Sequence, residues 1–232
     1  MKSSEHLILL DMDRCLLDTE KVHQAFSETI QRAGLIDEDE LATAKNDTEN
    51  SILNNSFDSV SFVQRRLAEK GMTDAWDELR HEFEKTANER RNNNHYHYLM
   101  LGATALIDSL QDSDRRFGIL TYGGDTWQHM KLAASGLYTL PHFITDVHEK
   151  GLLIRQWFDD GEFPLVFGNE PVMHVTMVDD KLKSLRGLPS QNATGVHVQT
   201  GRPHDQKVPE LLPPHIISVA DLIEAEKKLK EY

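Results

Sequence analysis

The feature that most constrains the fold of this chain is the way short apolar runs alternate with segments of helical spacing in its second half. The apolar runs are predicted strands, for example RFGILTY at 116–122 and VMHVTMVDD at 172–180. Segments such as TWQHMKLAASG at 126–136 and KLKSLRGL at 181–188 are predicted helices between the strands. Strands that are joined by helices form parallel sheets with helices on both faces. The sequence therefore predicts an α/β protein with a doubly wound parallel sheet, to which the run HLILL at 6–10 also belongs.

One segment departs from this alternation. Residues 19–91 are rich in Glu, Lys, Arg, Gln and Ala and contain no proline. Apolar residues recur there at helical spacing and are predicted to face the interior, as in Val22, Phe26 and Ile30 and again in Leu79 and Phe83. The sequence predicts an all-helical domain over 19–91 that is inserted directly after the first strand. The sheet domain then comprises residues 1–18 and 92–232, with the polar stretch 92–98 as the linker back to it.

Composition and charge narrow the classes of partner. The 232 residues include 39% hydrophobic and 27% charged residues, which is the composition of a globular protein, and the formal net charge is −13. Such a surface repels the phosphate backbone of nucleic acids, so no nucleic-acid partner is expected. A bound cation would still allow a small phosphorylated ligand. The single cysteine, Cys15, excludes an intrachain disulfide.

The length of the apolar runs predicts a cytoplasmic protein with no membrane partner. The run at residues 6–10 is shorter than the apolar region of a signal peptide. No stretch approaches the roughly 20 apolar residues that a membrane span requires. Nothing in the sequence indicates the oligomeric state.

Polar residues follow three of the predicted strands, at the point where each strand ends. Parallel strands bring their carboxyl ends to one edge of the sheet, where open α/β proteins bind their ligands. Each of the three motifs alone is common at strand ends and helix caps, but their occurrence at one edge indicates a site. The residues are Asp11 and Asp13 after the first strand, Thr121 and Tyr122 before the glycines 123 and 124, and Asp179 and Asp180 after a third strand.

These residue types suit phosphoryl chemistry that depends on Mg²⁺. Carboxylates are ligands of Mg²⁺, and a carboxylate can also attack phosphorus as a nucleophile. Asp13 lies two residues beyond Asp11, on the same side of the chain, where it can exchange protons with a leaving group. The Thr121 hydroxyl and the N–H groups of the glycine loop suit phosphate oxygens. A lysine is expected to offset the negative charge, and the candidates are Lys131 and Lys150.

With these motifs in place, the chain resembles the haloacid dehalogenase-like (HAD) hydrolase superfamily over nearly its whole length. LILLDMDRCLLDTE at 7–20 resembles the first motif of the family, and FGILTYGG, FITDVHEKGLLI and VTMVDDKLKSL resemble the second, third and fourth. The resemblance implies a Rossmann-like core with the helical segment as its cap. It implies Asp11 as the nucleophile and Asp13 as the general acid and base. Thr121, Tyr122, Lys150 and Arg14 would bind phosphate or another part of the substrate. Mg²⁺ would be held by Asp11, the backbone carbonyl of Asp13 and Asp179, with Asp180 as a further ligand or as the anchor of the lysine.

The chain departs from the family pattern at two places. The usual Gly–Thr after the first two acids is Arg14–Cys15, so that a large cation faces the substrate or the cap where the family has glycine. The proline that commonly follows the lysine of the third motif is Gly151, which leaves Lys131 as an alternative to Lys150. Both departures leave the catalytic acids intact.

The resemblance implies a phosphatase that acts on a small phosphorylated metabolite through an aspartyl-phosphate. Dehalogenating members of the family lack the second acid of the first motif, so the presence of Asp13 favours phosphoryl chemistry over dehalogenation. A phosphomutase would use the same residues. A phosphate-binding or regulatory module is a further alternative, because Arg14–Cys15 would then mark lost activity.

Overall fold

The computed structural model describes residues 5–34, 36–49, 58–113, 115–200 and 211–231. Six parallel strands form one sheet in the order β3-β2-β1-β4-β5-β6, and helices cover both of its faces. The prediction of a doubly wound α/β sheet is therefore confirmed. The strands are β1 His6–Leu10, β2 Arg116–Tyr122, β3 His142–Thr145, β4 His174–Asp179, β5 Ala193–Val198 and β6 Ile216–Val219.

The helices divide between two compact units. One unit comprises Met1–Asp18, Leu99–Tyr122 and Thr139–Tyr232, and the other comprises Thr19–Tyr98 and Gly123–Tyr138. The helices are α1 Thr19–Ala33, α2 Glu38–Glu49, α3 Ser59–Glu69, α4 Ala75–Asn93, α5 Ala103–Asp112, α6 Asp125–Ser135, α7 Lys150–Asp160 and α8 Leu222–Leu229. Every regular element that the structure describes in the second unit is a helix, and the unit contains the predicted segment 19–91 together with α6. None of the described helices is both long and apolar enough to cross a bilayer.

The centre of the sheet is its most buried part. All five residues of β1 are buried, as expected of a strand with a neighbour on each side and a helical layer on each face. Leu7 and Leu9 point to the same face because side chains alternate along a strand, and there they pack in one cluster with Ile154 and Trp157 of α7. Full burial of each such side chain contributes about 1.5–3 kcal/mol.

Aromatic rings hold the helical unit together. Phe26 of α1 lies with its centroid 5.4 Å from the Phe83 ring of α4 and 5.1 Å from the Trp127 ring of α6. The helical spacing of the sequence predicted Phe26 and Phe83 as interior residues, and both are fully buried. The start of α3 is capped by Asp58, whose Oδ1 accepts hydrogen bonds of 3.0 Å from the N–H groups of Val60 and Ser61.

One local prediction was wrong, and another differs from the structure at its first boundary. The segment KLKSLRGL at 181–188 was predicted as a helix, but it forms consecutive turns in which the N–H groups of Ser184 and Leu185 donate to the carbonyls three residues earlier. The turns end at Gly187, which has a φ of +84°. The predicted linker 92–98 begins inside α4, which ends at Asn93.

The buried histidine at the start of β1 should make the free energy of unfolding decrease in mild acid. His6 is buried, its Nε2 lies 2.9 Å from Thr176 Oγ1, and its ring meets that of His174 edge to face at 5.1 Å. Burial, then the charges of His174 and Arg115, lower the pKa of His6 to about 4 from 6.5. Between these values the unfolded chain binds more protons, so the stability present above pH 6.5 is lost as the pH falls towards 4.

We expect the free energy of unfolding, measured with urea, to decrease between pH 7 and pH 4.5. The decrease should be about 1–2 kcal/mol larger in the wild type than in His6→Gln. His215→Gln, a substitution of the same kind just before β6, should keep the wild-type dependence. Equal pH dependence in the wild type and His6→Gln would contradict the assignment.

Candidate active site

The candidate site lies where the chain order of the sheet reverses. From β1 the chain builds β2 and β3 on one side and then returns to place β4 on the other side of β1. Such a reversal opens a crevice at the carboxyl ends of the two strands, and ligands bind there. Asp11 directly follows β1, and its N–H donates to Val178 O at 2.8 Å, while Asp179 is the last residue of β4. Thr121, near the end of β2, is fully buried.

Lys150 joins the acids of the two central strands. It is the first residue of α7, it is 2% exposed, and its Nζ donates to Asp11 Oδ1 and, at 2.9 Å, to Asp179 Oδ2. The other lysine candidate, Lys131 in α6, has its ammonium 5.6 Å from the centroid of the Trp127 ring. The structure thus brings Lys150, and with it the third motif of the sequence, to the first and fourth motifs.

Three carboxylates form a buried cluster around this lysine. Asp11, Asp179 and Asp180 each offer an oxygen, and these oxygens lie within 4.8 Å of one another. Asp180 Oδ1 is buried and has no hydrogen-bond partner among the described residues. One ammonium does not neutralise three carboxylates, so the cluster and its unpartnered oxygen fit a hard divalent cation such as Mg²⁺. The carboxylate of Asp13, which was also predicted as a site acid, is not in this group.

Burial dominates the electrostatics of the cluster. It raises the pKa of Asp11 to about 6 against the lowering effect of Lys150, and it raises the pKa of Asp180 well above the usual range of a carboxyl. Burial opposes the charge of Lys150, but Asp11 and Asp179 raise the pKa of that lysine above its usual value. The lysine is therefore charged. Additional positive charge beside the acids would lower their raised pKa values and stabilise their ionised forms.

The chain turns sharply after Asp11. Leu16 and Leu17 N–H donate to Met12 O at 3.1 and 2.9 Å, and Asp13 forms an isolated bridge with Leu17. Arg14 in this turn has a φ of +64°, and among the described residues it is the only one other than glycine with a positive φ. The glycine that the family has at this position is therefore explained by the backbone, because glycine adopts this conformation without strain. Cys15, the next residue, is buried.

Relieving this strain should stabilise the protein. Arg14→Gly is expected to raise the free energy of unfolding by about 0.5–1 kcal/mol, since the gain in the left-handed region exceeds the added freedom of the unfolded chain. Arg14→Val should lower it by about 1 kcal/mol or more, because a β-branched residue is poorly accommodated at positive φ. Denaturant unfolding of the three proteins measures both effects. A glycine variant less stable than the valine variant would contradict the explanation.

The segment after Thr121 is shaped by an aromatic contact and a glycine. The Tyr122 ring lies with its centroid 5.0 Å from the ring of His148, which precedes α7. Gly123 has a φ of +144°, and a Cβ there would lie 2.3 Å from the Gln128 amide nitrogen. The predicted glycine loop is thus required by the backbone.

Gly151 marks the closest backbone approach in the site. Its N–H donates to Ser184 O at 2.7 Å, and a Cβ at this position would lie 2.3 Å from Arg186 O and 2.8 Å from Leu188 N. Proline has no N–H to donate and brings a ring to this contact. The turns at 181–188 lie directly against the start of α7. They therefore explain why this chain has glycine at 151, where the family commonly has proline.

Filling this contact should be costly. Gly151→Ala is expected to destabilise the protein by about 1–3 kcal/mol, because backbone atoms cannot give way as a side chain would. It should also lower catalytic activity, because α7 carries Lys150. Gln156→Ala is the control, since Gln156 is an exposed residue of the same helix and its replacement should change the stability by less than about 0.5 kcal/mol. Thermal unfolding measures the stability difference, and a Gly151 variant as stable as the Gln156 variant would contradict the contact.

His197 was missed by sequence reasoning. It lies in β5, is buried, and its Nε2 is 3.2 Å from Asp180 O while its Nδ1 is 3.0 Å from Ser218 Oγ. The ring thus connects β6 to the backbone of a site acid. In the sequence it is one polar residue within the run TGVHVQT. Its apolar neighbours predict a strand but do not indicate that the histidine contacts a site residue.

Comparison with known proteins agrees with this geometry. A family model described as haloacid dehalogenase-like hydrolase matches residues 8–150, and a search of curated protein sequences finds no significant match. A haloacid dehalogenase-like hydrolase from Burkholderia xenovorans LB400 aligns at a TM-score of 0.63 and 16% identity over 98% of this chain and 97% of that chain.

Two further similar structures belong to proteins that are named for different activities. A HAD phosphatase from Thermococcus onnurineus aligns at a TM-score of 0.56 and 18% identity, over 97% of each chain. The defluorinating L-2-haloacid dehalogenase Rha0230 aligns at 0.53 and 14% identity, over 97% of this chain and 95% of that chain. At such identities the likeness shows the fold, whereas the sequence match over more than half of the chain shows the family: the chain belongs to the haloacid dehalogenase-like hydrolases.

Proposed function

We propose that this hydrolase is a Mg²⁺-dependent phosphatase that cleaves the phosphate monoester of a small metabolite through an aspartyl-phosphate. The observation that carries the proposal is the buried carboxylate of Asp11, held by Lys150 at the switch point of the sheet beside two further acids. A carboxylate fixed in this way is oriented for nucleophilic attack, and the lysine beside it suits the oxygens of a phosphoryl group.

The proposed reaction has two displacements at phosphorus. The Asp11 carboxylate forms a bond to phosphorus while the bond to the leaving oxygen breaks, and Asp13 gives its proton to that oxygen. Asp13 then takes a proton from water, whose oxygen attacks phosphorus and releases Asp11 and inorganic phosphate. Lys150 and the Thr121 hydroxyl hold phosphoryl oxygens during both steps.

The metal would be held by this chain's acids. Asp11, Asp179 and Asp180 are the carboxylate ligands, with the backbone carbonyl of Asp13 as a further one. Three carboxylates beside one lysine, and the unpartnered Asp180 Oδ1, support this assignment. When bound, Mg²⁺ supplies positive charge that offsets the charge of the phosphoryl group and of the acids.

Dehalogenation is the second candidate, because a structural relative carries that name. Asp13 argues for the phosphatase: it supplies an acid two residues after the nucleophile, which hydrolysis of a phosphate monoester uses and displacement of a halide does not. A phosphomutase would use the same groups, with a sugar hydroxyl in place of water.

The test is hydrolysis of p-nitrophenyl phosphate by the purified chain, with 5-fold steps of added Mg²⁺ and with a chelator, beside halide release from 2-chloropropionate. Phosphate release that needs Mg²⁺, without halide release, is the expected result. Halide release without metal would establish the dehalogenase instead. Phosphate-analogue binding with neither activity would favour the regulatory module.

A further inference from the structure

A group of cations lies beside the phosphoryl site and has no function in the proposed reaction. Lys181 and Lys183 follow the site acids Asp179 and Asp180 directly, and both are half-buried. Within the described part of the chain, neither ammonium forms an ion pair with an acid. Because the net charge of the chain is −13, these two lysines supply local positive charge that a second anionic group could use.

Backbone contacts place these lysines against the start of α7. Lys181 N–H donates to Asp179 Oδ1 at 2.8 Å, which ties the beginning of the turns to the acid cluster. Gly151 N–H donates to Ser184 O at 2.7 Å, so the residue after Lys183 touches the residue after Lys150. The turns at 181–184 and the segment 148–151 are therefore direct neighbours.

His148 belongs to the segment 148–151 that contacts these turns, and one of its ring nitrogens lacks a hydrogen bond. Its ring contacts the Tyr122 ring, its Nδ1 is buried, and that nitrogen has no hydrogen-bond partner among the described residues. A buried polar atom without a partner costs free energy unless a ligand or water supplies one. The charges that act on this imidazole, after burial, are those of Lys183, Lys181 and Lys150, followed by Asp179.

We propose that Lys181, Lys183 and His148 form a second anion-binding subsite beside the phosphoryl site, so that the substrate carries a second anionic group, a carboxylate or another phosphate. The inference rests on the proposed phosphatase function and specifies its substrate class. Lys150 and Thr121 hold the phosphoryl group that is transferred, and the subsite holds the anion that remains on the leaving group. Lysine supplies charge without fixed geometry, which suits either kind of anion.

The test compares matched ligands by calorimetry with Asp11→Asn, which binds but does not turn over, in excess Mg²⁺. One pair is glycerol 3-phosphate and 3-phosphoglycerate, and the other is fructose 6-phosphate and fructose 1,6-bisphosphate. In at least one pair, we expect the ligand with the added anion to bind about tenfold more tightly, since one charge-assisted hydrogen bond contributes about that much. The pair that shows the preference identifies a carboxylate or a phosphate as the second group.

Added to this background, Lys183→Gln should remove most of that preference, about three- to tenfold. The control is Lys227→Gln on α8, which makes the same change of charge at an exposed residue and should retain the preference. Equal binding within both pairs, or a preference that survives Lys183→Gln, overturns the subsite while leaving the phosphatase in place. If none of the four phosphates binds and the wild type does not hydrolyse p-nitrophenyl phosphate either, the phosphatase proposal fails and the subsite fails with it.

Discussion

Asp11→Asn is expected to reduce phosphate release from an aryl phosphate by about 10⁴-fold or more, because the amide cannot form the covalent intermediate. The substitution keeps the size of the side chain and leaves an oxygen that still accepts a hydrogen bond from Lys150. It also removes one negative charge from a cluster in which burial already raises the pKa of Asp11. The folded state should therefore be retained, and the loss should appear in kcat.

Steady-state kinetics with p-nitrophenyl phosphate, alongside thermal unfolding, measures the two properties separately. Asp108→Asn is the matched control, since Asp108 is an exposed residue of α5 and its replacement should leave kcat within about twofold. Retention of more than a few per cent of the wild-type kcat in the Asp11 variant would show that another group attacks phosphorus.

Lys150→Met is expected to destabilise the protein by about 3–5 kcal/mol and to abolish activity. Its ammonium is buried and donates to Asp11 and Asp179, so its removal leaves two buried carboxylates without their cation. Breaking a buried ion pair from one side is more costly than replacing the whole pair by apolar groups. Chemical denaturation with a chelator present measures the loss without contributions from a bound metal.

A double-mutant cycle tests this explanation. Lys150→Met combined with Asp11→Asn should be about 1–3 kcal/mol more stable than the sum of the single changes predicts, since the second substitution removes one of the stranded charges. Lys227→Met supplies the comparison, since Lys227 is an exposed lysine of α8. Its combination with Asp11→Asn should be additive. Additive behaviour of the Lys150 pair would contradict the ion pair.

The sequence predicted the sheet because a local pattern carries it. Apolar runs such as HLILL are buried on both faces, and the residues that follow them meet at one edge in any parallel sheet. That Asp11 and Asp179 share one edge of the sheet therefore needed only the alternation of strands and helices, whereas their closeness depends on β1 and β4 being neighbours in the sheet. The residues alone left Lys131 and Lys150 as candidates, and only the family resemblance favoured Lys150, because its contacts with Asp11 and Asp179 join segments that are distant along the chain.

What sequence reasoning missed depends on contacts between distant segments or on weak patterns. The helix α2 was not predicted, since its sequence is polar and among its residues with described side chains only Leu41 is buried and apolar. The turns at 181–188 replace a predicted helix because their backbone meets Gly151, about thirty residues earlier. His148 and His197 gain their roles from a ring on β2 and a carbonyl after β4, and no spacing along the chain indicates either contact.

The contact between Gly151 and the turns at 181–188 also restricts which amino-acid substitutions this enzyme can accept one at a time. Proline, the residue usual for the family, cannot enter at 151 while Ser184 O needs its hydrogen bond and Arg186 O occupies the space of a side chain. The turns cannot move away without exposing the glycine N–H that they satisfy. Each segment thus blocks the substitution that would release the other. Exchange of this stretch with that of a proline-containing relative should succeed only when 150–151 and 181–188 are transferred together.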